Sequence, residues 1–372
     1  MSFKEWRVDK PFFFAVIILA IAGFVSFYSA SLGLLAKSSE QYSSVTFSQT
    51  VLGLCLGSVA MLVAIRADYK KWKKYAFYLL LFAIFLNILV LIPQVGFAHN
   101  GARRWIEIGG LTFQPSEILK LAFVIYLAAW ASKVKEKMGE YKAGFIPLVV
   151  LLVLCGTLLL MQPDTDTFVM LATAGVAIYI VGGGRWRDLM ILILVGVLGI
   201  TLLAAFRPYV RQRIFTYFNP QAEAQGSGYQ IQQSLIAIGS GGFFGKGFGQ
   251  SVQKFAFLPE PMGDSIFAVQ AEEFGFVGAS SLILLFVFFA VRGLKIASNT
   301  PDPFGRLVVV GLVIMITAQA FVNIGAMLSI LPLSGITLPF VSQGGTSLFF
   351  TLLEAGIILS ISKSATLIPK RK

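Results

Sequence analysis

The sequence predicts an all-α polytopic membrane protein of about ten transmembrane helices, with one large extracytoplasmic loop between the seventh and the eighth. Three observations predict it. Of 372 residues, 56% are apolar and 13% are charged, where a soluble domain carries roughly a quarter charged residues. The apolar residues fall into about ten runs near the ~20 residues that a helix needs to cross a bilayer. The basic residues gather in alternate connections between those runs.

In chain order the runs lie near 11–36, 45–65, 75–95, 115–132, 144–162, 166–182, 189–206, 264–291, 307–331 and 342–362. Backbone in lipid must satisfy its own hydrogen bonds, so each run is expected to be a helix. Lys4, Arg7 and Lys10 precede the first run, as in a signal peptide. The uncharged stretch 11–36 outlasts a signal h-region of about 7–15 residues, so it reads as a first span. The stretch 307–353 is uncharged and too long for one helix. Pro332, Gly335 and Pro339 divide it into two, joined by a re-entrant or tight extracellular turn.

With the N-terminus inside, 21 Lys and Arg fall on inner segments and eight on outer ones, with Lys120 inside a span. That bias places both termini in the cytoplasm. The chain reads as a single transmembrane domain over 1–372, with 207–263 as its large outer loop. Arg211 to Ile238 within that loop is expected to form helices along the interface. Apart from Lys37, the outer basic residues are Arg103, Arg104 and those of the loop. The active surface is therefore expected outside.

The net charge of +12 would suit nucleic acid in a soluble protein. Here the basic clusters sit between apolar runs, and membrane lipid explains them better. Cys55 and Cys155 read as small buried hydrophobes. The single His, His99, leaves little room for a zinc site or a His-based triad. Gly245-Lys246 fails the phosphate-loop pattern, since position 240 is Ser and Gly247 follows the Lys. The glycines from 239 to 249 instead permit tight turns and close backbone approach near the membrane.

Ionisable residues within spans are costly and mark functional candidates. Glu117 and Lys120 are three apart, on one helix face, and can pair. Either they orient helices or Lys120 meets an anionic substrate, and both roles are compatible. Asp164 and Asp166 follow Gln162-Pro163 in a tight outer turn, where Asp is also common as a cap. Glu272 and Glu273 lie two turns into the eighth span, so at least one must face protein or a wet cavity. Glu354 in the last span needs a partner that the sequence does not name. Asp264 stands at the outer mouth of the eighth span. It suits a helix N-cap and equally a general base beside a basic loop.

These motifs together resemble the SEDS family (shape, elongation, division and sporulation). The carriers are Asn100-Gly101-Ala102-Arg103-Arg104-Trp105-Ile106, Gln114-Pro115-Ser116-Glu117-Ile118-Leu119-Lys120 and Gln162-Pro163-Asp164. Gly228-Tyr229-Gln230-Ile231-Gln232-Gln233-Ser234, Asp264-Ser265-Ile266-Phe267-Ala268 with Glu272-Glu273, and Pro332 through Gly345, including Ser342, complete them. The resemblance runs through nearly the whole chain. It implies a peptidoglycan glycosyltransferase that polymerises lipid II, an undecaprenyl-pyrophosphate disaccharide-pentapeptide, at the outer membrane face. It implies a class B penicillin-binding protein as partner, with other division proteins. It also implies a catalytic carboxylate at Asp264 and a polar cavity around Glu117, Lys120 and Asp164. The Asn-Gly-Ala-Arg-Arg-Trp block looks more like the division branch, FtsW, than the elongation branch, RodA.

The sequence departs from many relatives at Gly263-Asp264-Ser265, where they read Thr-Asp-Phe, and at Thr112, where some carry a basic residue. Candidate substrate contacts are then Arg103, Arg104, Glu117, Lys120, Asp164, Arg211, Arg213, Gln230, Glu272 and Ser342. A divalent cation, Mg or Mn, is expected to help with the pyrophosphate, with oxygen ligands that no local pattern supplies. Two other classes fit the same buried charges: a lipid II flippase or transporter, and a scaffold that only recruits a penicillin-binding protein.

Overall fold

The computed structural model describes residues 8–99, 102–108, 111–219 and 226–365. Lys4, Arg7, Asn100 and Gly101, named above, and Lys370, Arg371 and Lys372, counted among the inner basic residues, lie outside the described residues. Helix α1 (Lys10–Leu35) starts where Asp9 accepts a hydrogen bond from the Phe12 amide and Pro11 fills the first turn. Helix α2 (Ser39–Arg66) passes through a π-helical stretch at Ser48–Leu56. Helix α3 (Lys70–Val90) ends before a three-stranded antiparallel sheet, β1 (Gly96–His99), β2 (Ala102–Ile108) and β3 (Leu111–Phe113). The sequence reading assigned no strands to this stretch.

Helices α4 (Pro115–Val134), α5 (Tyr141–Met161) and α6 (Thr165–Val181) follow, then α7 (Trp186–Phe206). The loop after α7 holds two helices where interfacial ones were expected, α8 (Pro208–Phe218) and α9 (Ser227–Ser240). Helices α10 (Ile266–Asn299), α11 (Pro303–Met327) and α12 (Gly345–Ala365) close the chain. Among the described residues, eight helices are long and apolar enough to cross a membrane: α1, α2, α3, α5, α7, α10, α11 and α12. Of the other two expected spans, α4 carries Glu117, Lys120 and Lys133, and α6 has only 17 residues.

The core forms where α11 and α12, the most enclosed helices, pack against α2, α6 and α10. Small residues let backbones meet there. A side chain at Gly23 of α1 would come within 2.1 Å of the Phe340 carbonyl oxygen. The apolar stretch of α7, by contrast, has no buried residue and touches the core only through Ile191 and Leu192. Cys155 is buried as expected, whereas Cys55, in the π-helical stretch of α2, is exposed.

The connections sort onto two ends of the bundle. At one end, Arg292 holds Asp9 through two hydrogen bonds of 2.8 and 2.6 Å, Asp9 N–H donates to Ser362, and Ser360 donates to the Ala67 carbonyl. At the other, Arg104 meets the α5–α6 turn, Arg213 meets Asp166, and Asn323 meets the backbone of Asp264. This is the pairing of connections that alternating spans require.

One span differs from its expected form, and the expected turn between the last two spans is more buried than a surface loop. The α10 helix breaks at Gly275, whose φ of 66° and ψ of −163° are not helical. The segment Pro332–Gly344 is not helical, yet Ser334, Ile336, Leu338, Phe340, Val341 and Ser342 are buried. Polar side chains satisfy its backbone. Gln319 donates to the Thr337 carbonyl, Asn323 to that of Ile336, and the Leu338 amide to Ser342 Oγ. Irregular backbone inside a membrane protein is tolerated on that condition.

Candidate active site

Asp264 stands just before α10, partly buried, and three elements hold it. Gln230 of α9 donates to its Oδ1 at 3.0 Å and to Ser265 Oγ at 2.9 Å. Asn323 of α11 donates to its main-chain carbonyl at 2.7 Å. Ser342 fixes the preceding peptide, donating to the Gly263 carbonyl at 2.6 Å. Among the described residues no Lys or Arg pairs with the Asp264 carboxylate. Burial and the nearby charge of Glu260 push its pKa up to about 7, against the opposing hydrogen bond from Gln230. A carboxylate in that range can take up a proton and release it near neutral pH.

A second polar group lies where α4, α6, α11 and α12 meet. Lys120 Nζ is 2.9 Å from Glu117 and donates to Gln319 Oε1 at 3.1 Å, with both charged side chains buried. Glu354 of α12 lies within the electrostatic reach of this ammonium, with its Oε1 buried and without a hydrogen-bond partner. Nearby, strand β2 turns Arg104 inward and Arg103 outward, as alternation requires. Arg104 donates to the carbonyls of Gln162 and Pro163 and lies 3.9 Å from Asp164. Asp164 caps α6 through the Thr167 amide. Burial raises its pKa while Arg104 pulls it back.

The two groups are joined through α11. Gln319 and Asn323 are four residues apart on one helix face. Gln319 links Lys120 to Thr337, and Asn323 links Ile336 to Asp264. Sequence reasoning passed over both. The available signal was a pair of amides at helical spacing in an otherwise apolar span.

The remaining candidates disperse. Arg213 binds Asp166 at 3.0 Å, and Asp166 also accepts from the Gly335 amide, so this pair ties α8 to the segment after α11. Arg211 is exposed and lines a cavity of about 280 Å³ at the α7–α8 elbow, with Ala204, Ile214 and Phe218. The Glu272 carboxylate is filled by Lys246 at 2.6 Å, Ser251 Oγ at 2.6 Å and the amides of Val252 and Gln253. It holds the loop in place. Among the described residues, no group of three or more His, Cys, Asp or Glu could hold a metal ion. The expected Mg or Mn site is not supplied by this side-chain set.

A family model described as "Cell cycle protein", covering FtsW, RodA and SpoVE, matches residues 10–367. The chain belongs to this family. It is 37% identical over 363 residues to stage V sporulation protein E of Bacillus subtilis, covering 98% of this chain and 99% of that protein. It is 39% identical over 351 residues to a probable peptidoglycan glycosyltransferase FtsW of Saccharophagus degradans, covering 93% and 90%. Among solved structures, it resembles a chain of a peptidoglycan synthase complex with a TM-score of 0.81 at 28% identity, over 96% of this chain and 98% of that one. Thermus thermophilus RodA gives 0.69 at 28% identity, over 95% and 96%. The SEDS resemblance and the polytopic helical fold expected from the motifs are thereby borne out.

Proposed function

We propose that this chain is a peptidoglycan glycosyltransferase that polymerises lipid II, working from the outer face of the cytoplasmic membrane with both termini inside. Family membership and the names of the relatives support the activity. The observation that carries the mechanism is the environment of Asp264: a partly exposed carboxylate, positioned by Gln230, Asn323 and Ser342, with no cationic partner among the described residues.

In the proposed step an acceptor sugar hydroxyl attacks the anomeric carbon of the donor. The new C–O bond forms as the bond to the lipid pyrophosphate breaks, and the hydroxyl proton passes to Asp264. Cationic groups must meet the charge that develops on the leaving pyrophosphate. Arg104 and Lys120 are assigned that work, with the outward Arg103 and Arg211 drawing the anion in. Gln230 orients the base. Glu117 and Asp164 keep the cations in place, and Arg213 and Ser342 shape the surrounding backbone. Among the described residues no group of three or more His, Cys, Asp or Glu forms a metal site, and no step is routed through a bound cation.

We further assign the chain to septal synthesis with a class B penicillin-binding protein. The division-type Arg103-Arg104 block and the match to FtsW support the first part. The resemblance to a synthase-complex chain supports the second. The competing reading is a lipid II flippase. Purified protein is given lipid II in liposomes, with and without a class B penicillin-binding protein, and both glycan length and translocation are measured. Glycan strands are expected. Movement of labelled lipid II without polymer would overturn the proposal in favour of transport.

A further inference from the structure

We propose that the turn 241–257 is a re-entrant element whose outward aromatic face lies among the acyl chains of the adjacent leaflet. It was expected to be part of the large outer loop, with glycines that permit tight turns near the membrane. The argument begins at the break in α10. The interruption at Gly275 frees backbone groups on both sides, and the turn fills them. The amides of Lys246 and Gly247 donate to the carbonyls of Glu272 and Glu273, at 3.0 and 2.9 Å. The carbonyls of Gly242 and Phe243 accept from the amides of Phe276 and Val277, at 2.9 and 3.2 Å. Glycine is required for so close an approach. A side chain at Gly245 would sit 2.1 Å from the Glu273 carbonyl oxygen, and one at Gly275 would sit 2.3 Å from the Gly245 nitrogen.

The turn therefore shares the depth of Gly275. Arg292, paired with Asp9, marks one boundary of the membrane. From Phe276 to Val291 the helix rises roughly 24 Å, against a hydrocarbon core of ~30 Å. The break thus falls some 5 Å inside the opposite boundary, and any tilt of the helix puts it deeper.

Side-chain orientation agrees with that depth. The outward stripe of α10 runs Phe276, Leu284, Val287 and Val291. It continues onto the turn, where Phe243 stacks on Phe276 at 5.7 Å and Phe244 is 80% exposed. The charges of the turn point the other way, with Lys246 on Glu272 and Lys254 on Glu273. In an aqueous loop this arrangement would leave Phe243 and Phe244 facing water. At membrane depth it is the condition for irregular backbone to persist.

The test places a fluorescent label on Phe244→Cys, and separately on Phe243→Cys, in full-length protein with Cys55→Ala. Each is reconstituted in phosphatidylcholine–phosphatidylglycerol vesicles, with Glu40→Cys as the aqueous reference. Lipids spin-labelled on the acyl chain should quench both turn positions severalfold more than headgroup-labelled lipids, and iodide should quench them far less than position 40. Iodide quenching equal to that at position 40 would overturn the proposal, as would insensitivity to every quencher, which would mean that protein covers the face.

Discussion

Asp264 and the pair Glu272–Glu273 stand at two levels of one helical segment, yet meet opposite surroundings. The pair is saturated. Glu273 takes Lys254 at 2.7 Å, Ser29 of α1 at 2.7 and 2.6 Å, and the Ser251 amide. Glu272 has Lys246, Ser251 and two amides. Asp264 has two neutral side-chain neighbours and an acidic one. A carboxylate whose acceptor capacity is filled by fixed cations is a strut, because moving a proton or ligand onto it would first break those bonds. A carboxylate left near solvent with one firm hydrogen bond is available for chemistry. Sequence distance does not separate the two kinds; partners do.

The comparison is broken most severely at Lys254, whose side chain is 0% exposed. Replacing it with Met strands a buried carboxylate, which costs about 3–5 kcal/mol. Thermal unfolding in detergent should show that loss, and adding Glu273→Gln should restore most of it. A single variant as stable as the parent would mean that Glu273 is no strut. Lys246→Met should cost less, about 1 kcal/mol, because that side chain is 35% exposed and Glu272 keeps its other donors.

Asp264 should behave in the reverse sense. Its folded pKa is raised, so the folded protein binds the proton more tightly than the unfolded chain. Ionisation in the folded state therefore costs stability as pH rises from the ordinary carboxylate range to about 7. Asp264→Asn is then expected to be at least as stable as the parent, with its largest advantage above pH 7 in thermal unfolding. As a base, Asp264 must be ionised, so the polymerisation rate should climb through pH about 7. The smallest effect is that of Glu260→Gln. Removing that neighbouring charge should move the rising limb to lower pH, and an unmoved limb would assign the titration to another group.

Much of this was legible in the sequence. The long apolar runs located the helices, since length and apolarity are properties of a segment alone. The spacing of Glu117 and Lys120 gave their ion pair for the same reason. The sheet over 96–113 was missed because its strands are short and lie between spans. The break at Gly275 was missed because it depends on a turn some thirty residues earlier. Glu272 read as a substrate contact because its donors, Lys246, Ser251 and two amides, come from a loop whose path no local pattern specifies. The roles of Gln319 and Asn323 likewise needed the buried segment 332–344 to be in place.

The central claim is that Asp264 is the proton acceptor of a lipid II polymerase, and the most direct measurement is glycan synthesis by purified Asp264→Asn beside the parent chain. General base catalysis is worth roughly 10²–10⁴-fold. The account predicts a loss in that range at unchanged helical content, while Lys246→Met, which loosens only the strut, retains polymerisation close to the parent. Polymer formation by Asp264→Asn at the parental rate would contradict it.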